Sequence, residues 1–360
     1  MTVTRKAKPT VQFVDEYCDS YRDLFVEVRS FEAFKRLHVG MVSKIKRKSL
    51  PAIAKVTGLR NPQSLQQFLV KSPWQAKALR HRRLELIRAL LNGHKLVLVI
   101  DETGDRKKGH TTDYVKRQYI DNLGKVENGI VSVDACGVID NITFPLTFEV
   151  YKPQECLNPG ETYRSKPQIA VEMVQQLQDV GFAFDLVLVD SKYGERANCF
   201  VSLLRRLQLP YVLATRSNHV VGMPKKEQVR ANNWWQYQDR FSHGKSENHF
   251  IREIVYGRRG SQQYWQLTTD KERLPKTSTW MITTWGANIS YQHVGVLYGL
   301  KHWVQYGFKQ GKDDLGWADF RFTNYGVIEK WWEVVMSAYL MVTLQTPSMQ
   351  SEGTLPPELD

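Results

Sequence analysis

From residue 49 to 70 the chain reads SLPAIAKVTGLRNPQSLQQFLV, with apolar residues at helical spacing. The segment TGLRN interrupts the pattern, and Pro62 suits the first turn of a second helix. Two short helices around a glycine-containing turn fit either a helix-turn-helix or a plain helical hairpin. Near residue 94 the pattern changes to continuous apolar runs. HKLVLVID (94–101) ends in Asp101, and FDLVLVDSKYGE (184–195) carries Asp190 after a similar run. Runs apolar on both faces predict central, buried strands. Between them, GIVSVDACGV (129–138) and ITFPLTFEVY (142–151) predict a hairpin, and KPQIAVEMVQQLQDV (166–180) an amphipathic helix. RANCFVSLLRRLQL (196–209) predicts a further helix and PYVLATR (210–216) a further strand.

The predicted order is strand, strand, strand, helix, strand, helix, strand. That is the order of a ribonuclease H-like α/β core, with Asp101 on the first strand and Asp190 on the fourth. Each aspartate alone could be a turn or capping residue. Two on adjacent buried strands predict a site at the strand ends. Oxygen donors of this kind suit Mg²⁺ or Mn²⁺.

Residues 248–260, 262–270 and 277–285 read as short strands, so 217–289 is expected to be a β-rich insertion. It carries Trp234, Trp235, Trp265, Trp280 and Trp285, for core packing or for stacking on a frayed base. A long helix is expected over 325–344. YGLKHWVQYGFKQGK (298–312) also reads as helix. Tyr298, Lys301, Gln305, Phe308 and Lys312 then share one face, a seam unusually polar for simple packing. Residues 346–360 form a polar tail, expected to be mobile.

Charge sharpens this division. The net charge is +13, and residues 1–95 hold 20 Lys and Arg against 7 Asp and Glu. No acidic residue occurs between Ala33 and Leu84, where 13 are basic. Charge of one sign over such a length points to a polyanionic partner, and residues 1–93 read as a helical DNA-binding domain. Its clusters supply the candidates Lys46, Arg47, Lys48, Arg82 and Arg83. A loop at 103–119 adds Arg106, Lys107 and Lys108 close to Asp101, where phosphate contact is expected. His110 in that loop reads as solvent-facing. Cys18, Cys136, Cys156 and Cys199 are scattered and suit reduced thiols of a cytosolic protein. No apolar run approaches the roughly 18 residues of a membrane span. The start MTVTRKAKPTVQ lacks the apolar core of a signal peptide.

VIDETGDRKKGH (99–110), LVDSKYGE (188–195) and YGLKHWVQYGFKQGKDDLGWADFR (298–321) resemble, in this order, the three catalytic blocks of bacterial insertion-sequence DDE transposases. The resemblance is to the branch whose third motif is Tyr-x2-Arg-x3-Glu-x6-Lys and which carries a β-rich insertion. It covers roughly 95–345, with the core expected over 94–216 and 290–345. It implies metal binding by Asp101 and Asp190, with two ions in an active site that cleaves transposon-end DNA and joins it to a target. Tyr298 matches the motif's Tyr, and Lys301 stands in place of Arg. Lys312 matches the terminal Lys, whose implied role is contact with DNA near the cleaved end, and Lys309 is counted with it. Gln305 stands where the third carboxylate belongs. The amide nearly keeps the shape and removes one negative charge, so weakened metal occupancy and impaired chemistry are expected.

The first functional expectation is therefore a transposase acting as a homodimer on double-stranded DNA in the nucleoid. The second is a nuclease-dead repressor or adaptor derived from one. A nuclease that cuts without joining is the third.

Overall fold

The computed structural model describes residues 5–120, 123–139, 142–189, 198–215, 229–240, 246–256, 262–275, 278–286, 294–295, 299 and 308–346. Five helices come first: α1 (Gln12–Asp19), α2 (Val28–Val42), α3 (Leu50–Val56), α4 (Gln63–Val70) and α5 (Ala76–Leu91). α3 and α4 are the two short helices expected from the sequence. Pro62 caps the second, and Gly58 turns the chain between them at φ +71°.

The sheet begins with β1 (Leu96–Arg106), β2 (Lys116–Ile120), β3 (Lys125–Ile139) and β4 (Ile142–Val150). Helix α6 (Lys166–Asp179), strand β5 (Phe184–Val189), helix α7 (Asn198–Arg206) and strand β6 (Tyr211–Thr215) follow. A capping box between Ser165 and Gln168 starts α6. β3 pairs antiparallel with both β1 and β4, β1 pairs parallel with β5, and β5 pairs parallel with β6. The core order is therefore β4-β3-β1-β5-β6, the ribonuclease H-like arrangement that the element order implies.

The insertion strands are β7 (Val229–Ala231), β8 (Trp235–Arg240), β9 (Ser246–Tyr256), β10 (Gln262–Thr268) and β11 (Thr279–Trp285). They extend the same sheet, because β11 pairs antiparallel with β6. Trp265 is buried and donates from Nε1 to the Thr284 hydroxyl at 2.9 Å, and Trp285 stacks on Tyr211. Trp235 is exposed.

Two expectations change. β1 does not stop at Asp101 but runs on to Arg106, because β3 is long enough to pair with it down to Gly129. The basic loop expected at 103–119 is correspondingly shorter, since 116–120 form β2 against β3.

α8, described over 308–314, and α9 (Tyr325–Thr343) are the last helices among the described residues. Asn324 caps α9 by accepting from the Val327 amide at 3.3 Å. Trp317 and Trp332 stack 4.6 Å apart, and the Phe148 ring of β4 meets both edge-on. α9 also receives the N-terminal helices. The Tyr17 hydroxyl donates to the Ser337 carbonyl at 2.8 Å, and His38 Nε2 lies 3.0 Å from the Ser337 hydroxyl. No described helix is long and apolar enough to cross a membrane.

Candidate active site

Asp101 sits on β1 at the centre of the core sheet. Side chains alternate along a strand, so Asp101, Thr103 and Asp105 share one face and Glu102 takes the other. The second face is covered by α6, whose Lys166 Nζ donates to Glu102 at 2.6 Å. On the first face the cross-strand partner of Asp101 is Asp134 of β3. Asp134 is 2% exposed, and the Ser132 hydroxyl lies 3.2 and 3.3 Å from its two carboxylate oxygens.

The strand leading to Asp190 is the parallel neighbour of β1, with Val189 in register with Ile100. Asp190 itself lies outside the described residues, as do Tyr298, Lys301 and Gln305. Among the described residues no group of three or more His, Cys, Asp or Glu is arranged to hold a metal ion. The donor chemistry nevertheless fits one. Asp101 offers hard carboxylate oxygen on a strand flanked by the one that ends just before Asp190, and Mg²⁺ and Mn²⁺ favour such donors.

Lys312 comes from α8 and is 1% exposed. Its Nζ lies 3.0 Å from Asp134 Oδ2 and donates to the Thr103 hydroxyl at 2.7 Å. The Phe308 and Trp317 rings flank the ammonium, each 4.6 Å away at its centroid. Lys312 is thus buried against Asp134 and Thr103 rather than presented to solvent. Asp134 was not singled out in the sequence, where it looks like one polar residue inside an apolar strand. Only the β1–β3 register reveals it.

Asp105, further along the same face, is mostly buried, and burial raises its pKa above the usual carboxylate range. Lys107 Nζ lies 2.5 Å from Asp105 Oδ2 and 3.6 Å from the Phe320 ring centroid. Lys107 is therefore tied to the protein rather than presented to solvent.

The other predicted DNA contacts divide by burial. Lys46, Arg47, Arg106 and Lys108 are exposed and Lys309 is half-buried. Arg47 reaches Asp319 at 3.6 Å, and Arg106 reaches Glu127 at 3.5 Å. Arg82 is half-buried and grips Asp23 with both terminal nitrogens at 2.8 Å. Two expectations are corrected. Arg83 is fully buried, bonded to Glu333 of α9 and to the carbonyls of Pro145 and Leu146 at 3.1 Å each. Lys48 is 4% exposed, and its ammonium donates to the Ser43 carbonyl. Neither side chain offers its charge to a ligand, because an ionised group leaves water only when protein partners replace the water. His110 is exposed, as expected. Cys18 and Cys136 are buried free thiols and Cys156 is half-buried, while the Cys199 side chain lies outside the described residues.

The chain is also similar to known proteins. A family model described as "DDE superfamily endonuclease" matches residues 25–271. A protein of Microchaete diplosiphon named "Probable transposase for insertion sequence element IS701" is 54% identical over 329 residues, covering 91% of this chain and 87% of that protein.

Proposed function

The chain belongs to the DDE superfamily of endonucleases, and from that premise we propose that it is an insertion-sequence transposase whose chemistry is impaired by Gln305. The observation that carries the reading is the parallel pairing of β1 with β5. It puts Ile100 in register with Val189, and Asp101 and Asp190 are the next residues in sequence. Asp101 and Asp190 would hold Mg²⁺ or Mn²⁺, which when bound supplies an activated water and stabilises the leaving oxygen of a phosphodiester. Asp101 holds its carboxylate on the site face of the central strand. The stacked Trp317 and Trp332 fix the turn after α8, and with it the wall that carries Lys312.

Gln305 takes the place of the third acidic residue. Its amide removes one negative charge, so metal occupancy falls and hydrolysis falls further, while DNA binding is preserved. Double-stranded DNA, as element ends and target, is the partner. The exposed cations Lys46, Arg47, Arg106 and Lys108 would contact its backbone, with Lys301, Lys309 and Tyr298 nearer the cleaved end. Pairing of two ends favours a homodimer on DNA, acting in the cytoplasm on the nucleoid. The domain division proposed is a basic helical DNA-binding region over 1–93, a core over 94–216 and 290–345, an insertion over 217–289 and a tail over 346–360.

The test is Mg²⁺- or Mn²⁺-dependent cleavage of the element's end DNA. Gln305→Glu should gain strongly over this chain, and adding Asp101→Ala should abolish the gain. Equal cleavage by the natural chain and Gln305→Glu would remove position 305 from the site. Tight, salt-sensitive binding with no cleavage by either protein would favour the second reading, a DNA-binding repressor or adaptor, for which Gln305 itself is the supporting observation.

A further inference from the structure

We propose that Asp134 and Lys312 are positioning residues that form a built-in counter-charge for the carboxylate site, and so set its affinity for a divalent cation. The inference rests on the reading of Asp101 as a metal-binding residue. Asp101 and Asp134 stand directly opposite each other on adjacent antiparallel strands, with their side chains on one face. Like charges in that relation repel, and the repulsion grows as water is excluded. Asp134 is 2% exposed, so a cation is needed beside it.

Lys312 is that cation, and it is held in place from several sides. Asp134 Oδ2 at 3.0 Å and the Thr103 hydroxyl at 2.7 Å receive the ammonium, and two aromatic rings flank it. Thr103 lies two residues beyond Asp101 and so shares its face. The positive charge is thereby anchored to both strands of the acidic pair. A metal ion beside Asp101 would sense a negative charge at Asp134 that attracts it and a positive charge at Lys312 that repels it. Removing either member leaves the other's charge alone beside that ion.

The consequence is a pair of opposite effects that a purely structural ion pair would not produce. Mn²⁺ binding to the full chain without DNA, followed by the paramagnetic resonance of the free ion, reads it directly. Lys312→Met keeps the bulk between Phe308 and Trp317 and should tighten Mn²⁺ binding on the order of tenfold. Asp134→Asn should weaken binding by a similar factor. The double variant should return close to the natural affinity and also guards against misfolding, since it leaves neither charge buried alone. If Asp134→Asn does not fold, the comparison of Lys312→Met with the double variant decides the matter. Unchanged Mn²⁺ affinity in the folded variants, or shifts in the same direction for both single changes, would overturn the inference. Asp101→Asn separates the two levels. If it abolishes Mn²⁺ binding while the charge variants leave it unmoved, only the counter-charge fails. If it leaves binding intact, the metal reading of Asp101 fails and the counter-charge falls with it.

Discussion

Arg83 and Glu333 form an ion pair in which both side chains are fully buried. Arg83 belongs to α5 and Glu333 to α9, 250 residues later. Glu333 also accepts from Arg80 Nε at 2.5 Å, and Arg80 reaches Glu329 at 3.2 Å. The N-terminal helices are thus joined to the C-terminal helix through charge withdrawn from water. Breaking one side of such a pair leaves an uncompensated charge and typically costs about 3–5 kcal/mol. Arg83→Ala is expected at the lower end, because Arg80 still serves Glu333. Urea unfolding measures it, and Glu333→Leu, which strips both Arg83 and Arg80 of this partner, should cost more. An unchanged urea midpoint in Arg83→Ala would show the pair to be dispensable.

His38 provides a second link with a defined pH dependence. Burial lowers its pKa from the ordinary 6.5 to about 4, and its two ring nitrogens face the Phe34 carbonyl at 2.9 Å and the Ser337 hydroxyl at 3.0 Å. The unfolded chain therefore takes up a proton at a pH where the folded chain does not. The stability held by neutral His38 is complete above about pH 6.5 and is lost as pH falls towards 4, a difference of about 3 kcal/mol. Unfolding midpoints at a series of pH values should fall less steeply between 6.5 and 4.5 in His38→Gln than in the natural chain. Parallel curves would exclude His38 as a source of that acid sensitivity.

Gly316 should tolerate no side chain. Its φ is +86°, and a Cβ there would collide with Lys48 Cβ. Gly58 has a similar φ of +71°, but an added methyl would meet nothing within 4 Å. Gly58→Ala should therefore cost only backbone strain, roughly 1–2 kcal/mol. Gly316→Ala should cost clearly more, since it also pushes the segment carrying Lys48 away from the core. Melting temperatures of the two variants compare them, and equal losses would mean that Lys48 yields without cost.

Salt dependence should separate the exposed cations from the buried ones. If Lys46 and Lys108 each neutralise a phosphate, Lys46→Ala and Lys108→Ala should each flatten the slope of log affinity against log salt by about 0.9. Fluorescence anisotropy of end DNA between about 50 and 200 mM salt reads the slope. An unaltered slope in either variant would remove that residue from the DNA-facing surface. Arg82→Ala, which breaks a bond to Asp23, should act mainly on stability.

Much of the core was legible because it rests on local pattern. The apolar runs before Asp101 and Asp190 became adjacent parallel strands, since residues apolar on both faces have no stable place except inside a sheet. α9 and α6 lie close to their expected limits, their starts marked by Asn324 and Ser165. β2, β7 and β8 were missed. They are short and polar, and they become strands because β3 and β9 offer them partners.

The site was legible only in part. The aspartate on β1, the order of the three motif-like blocks and a Gln at position 305 can be read along the chain, because motif spacing and charge are linear properties. Which cations are buried is not linear. Arg83 and Lys48 look like members of a basic patch until Glu333, Ser43 and two carbonyls replace water around them. Asp134 likewise looks like any polar residue in a strand until β3 pairs with β1 and sets it across from Asp101. By itself the sequence determined the long apolar elements of the core, their order and the basic character of the first 95 residues. Only the tertiary structure decided which charges face each other, because strand register and helix docking bring together groups that lie far apart in the chain, and burial then makes those pairings strong.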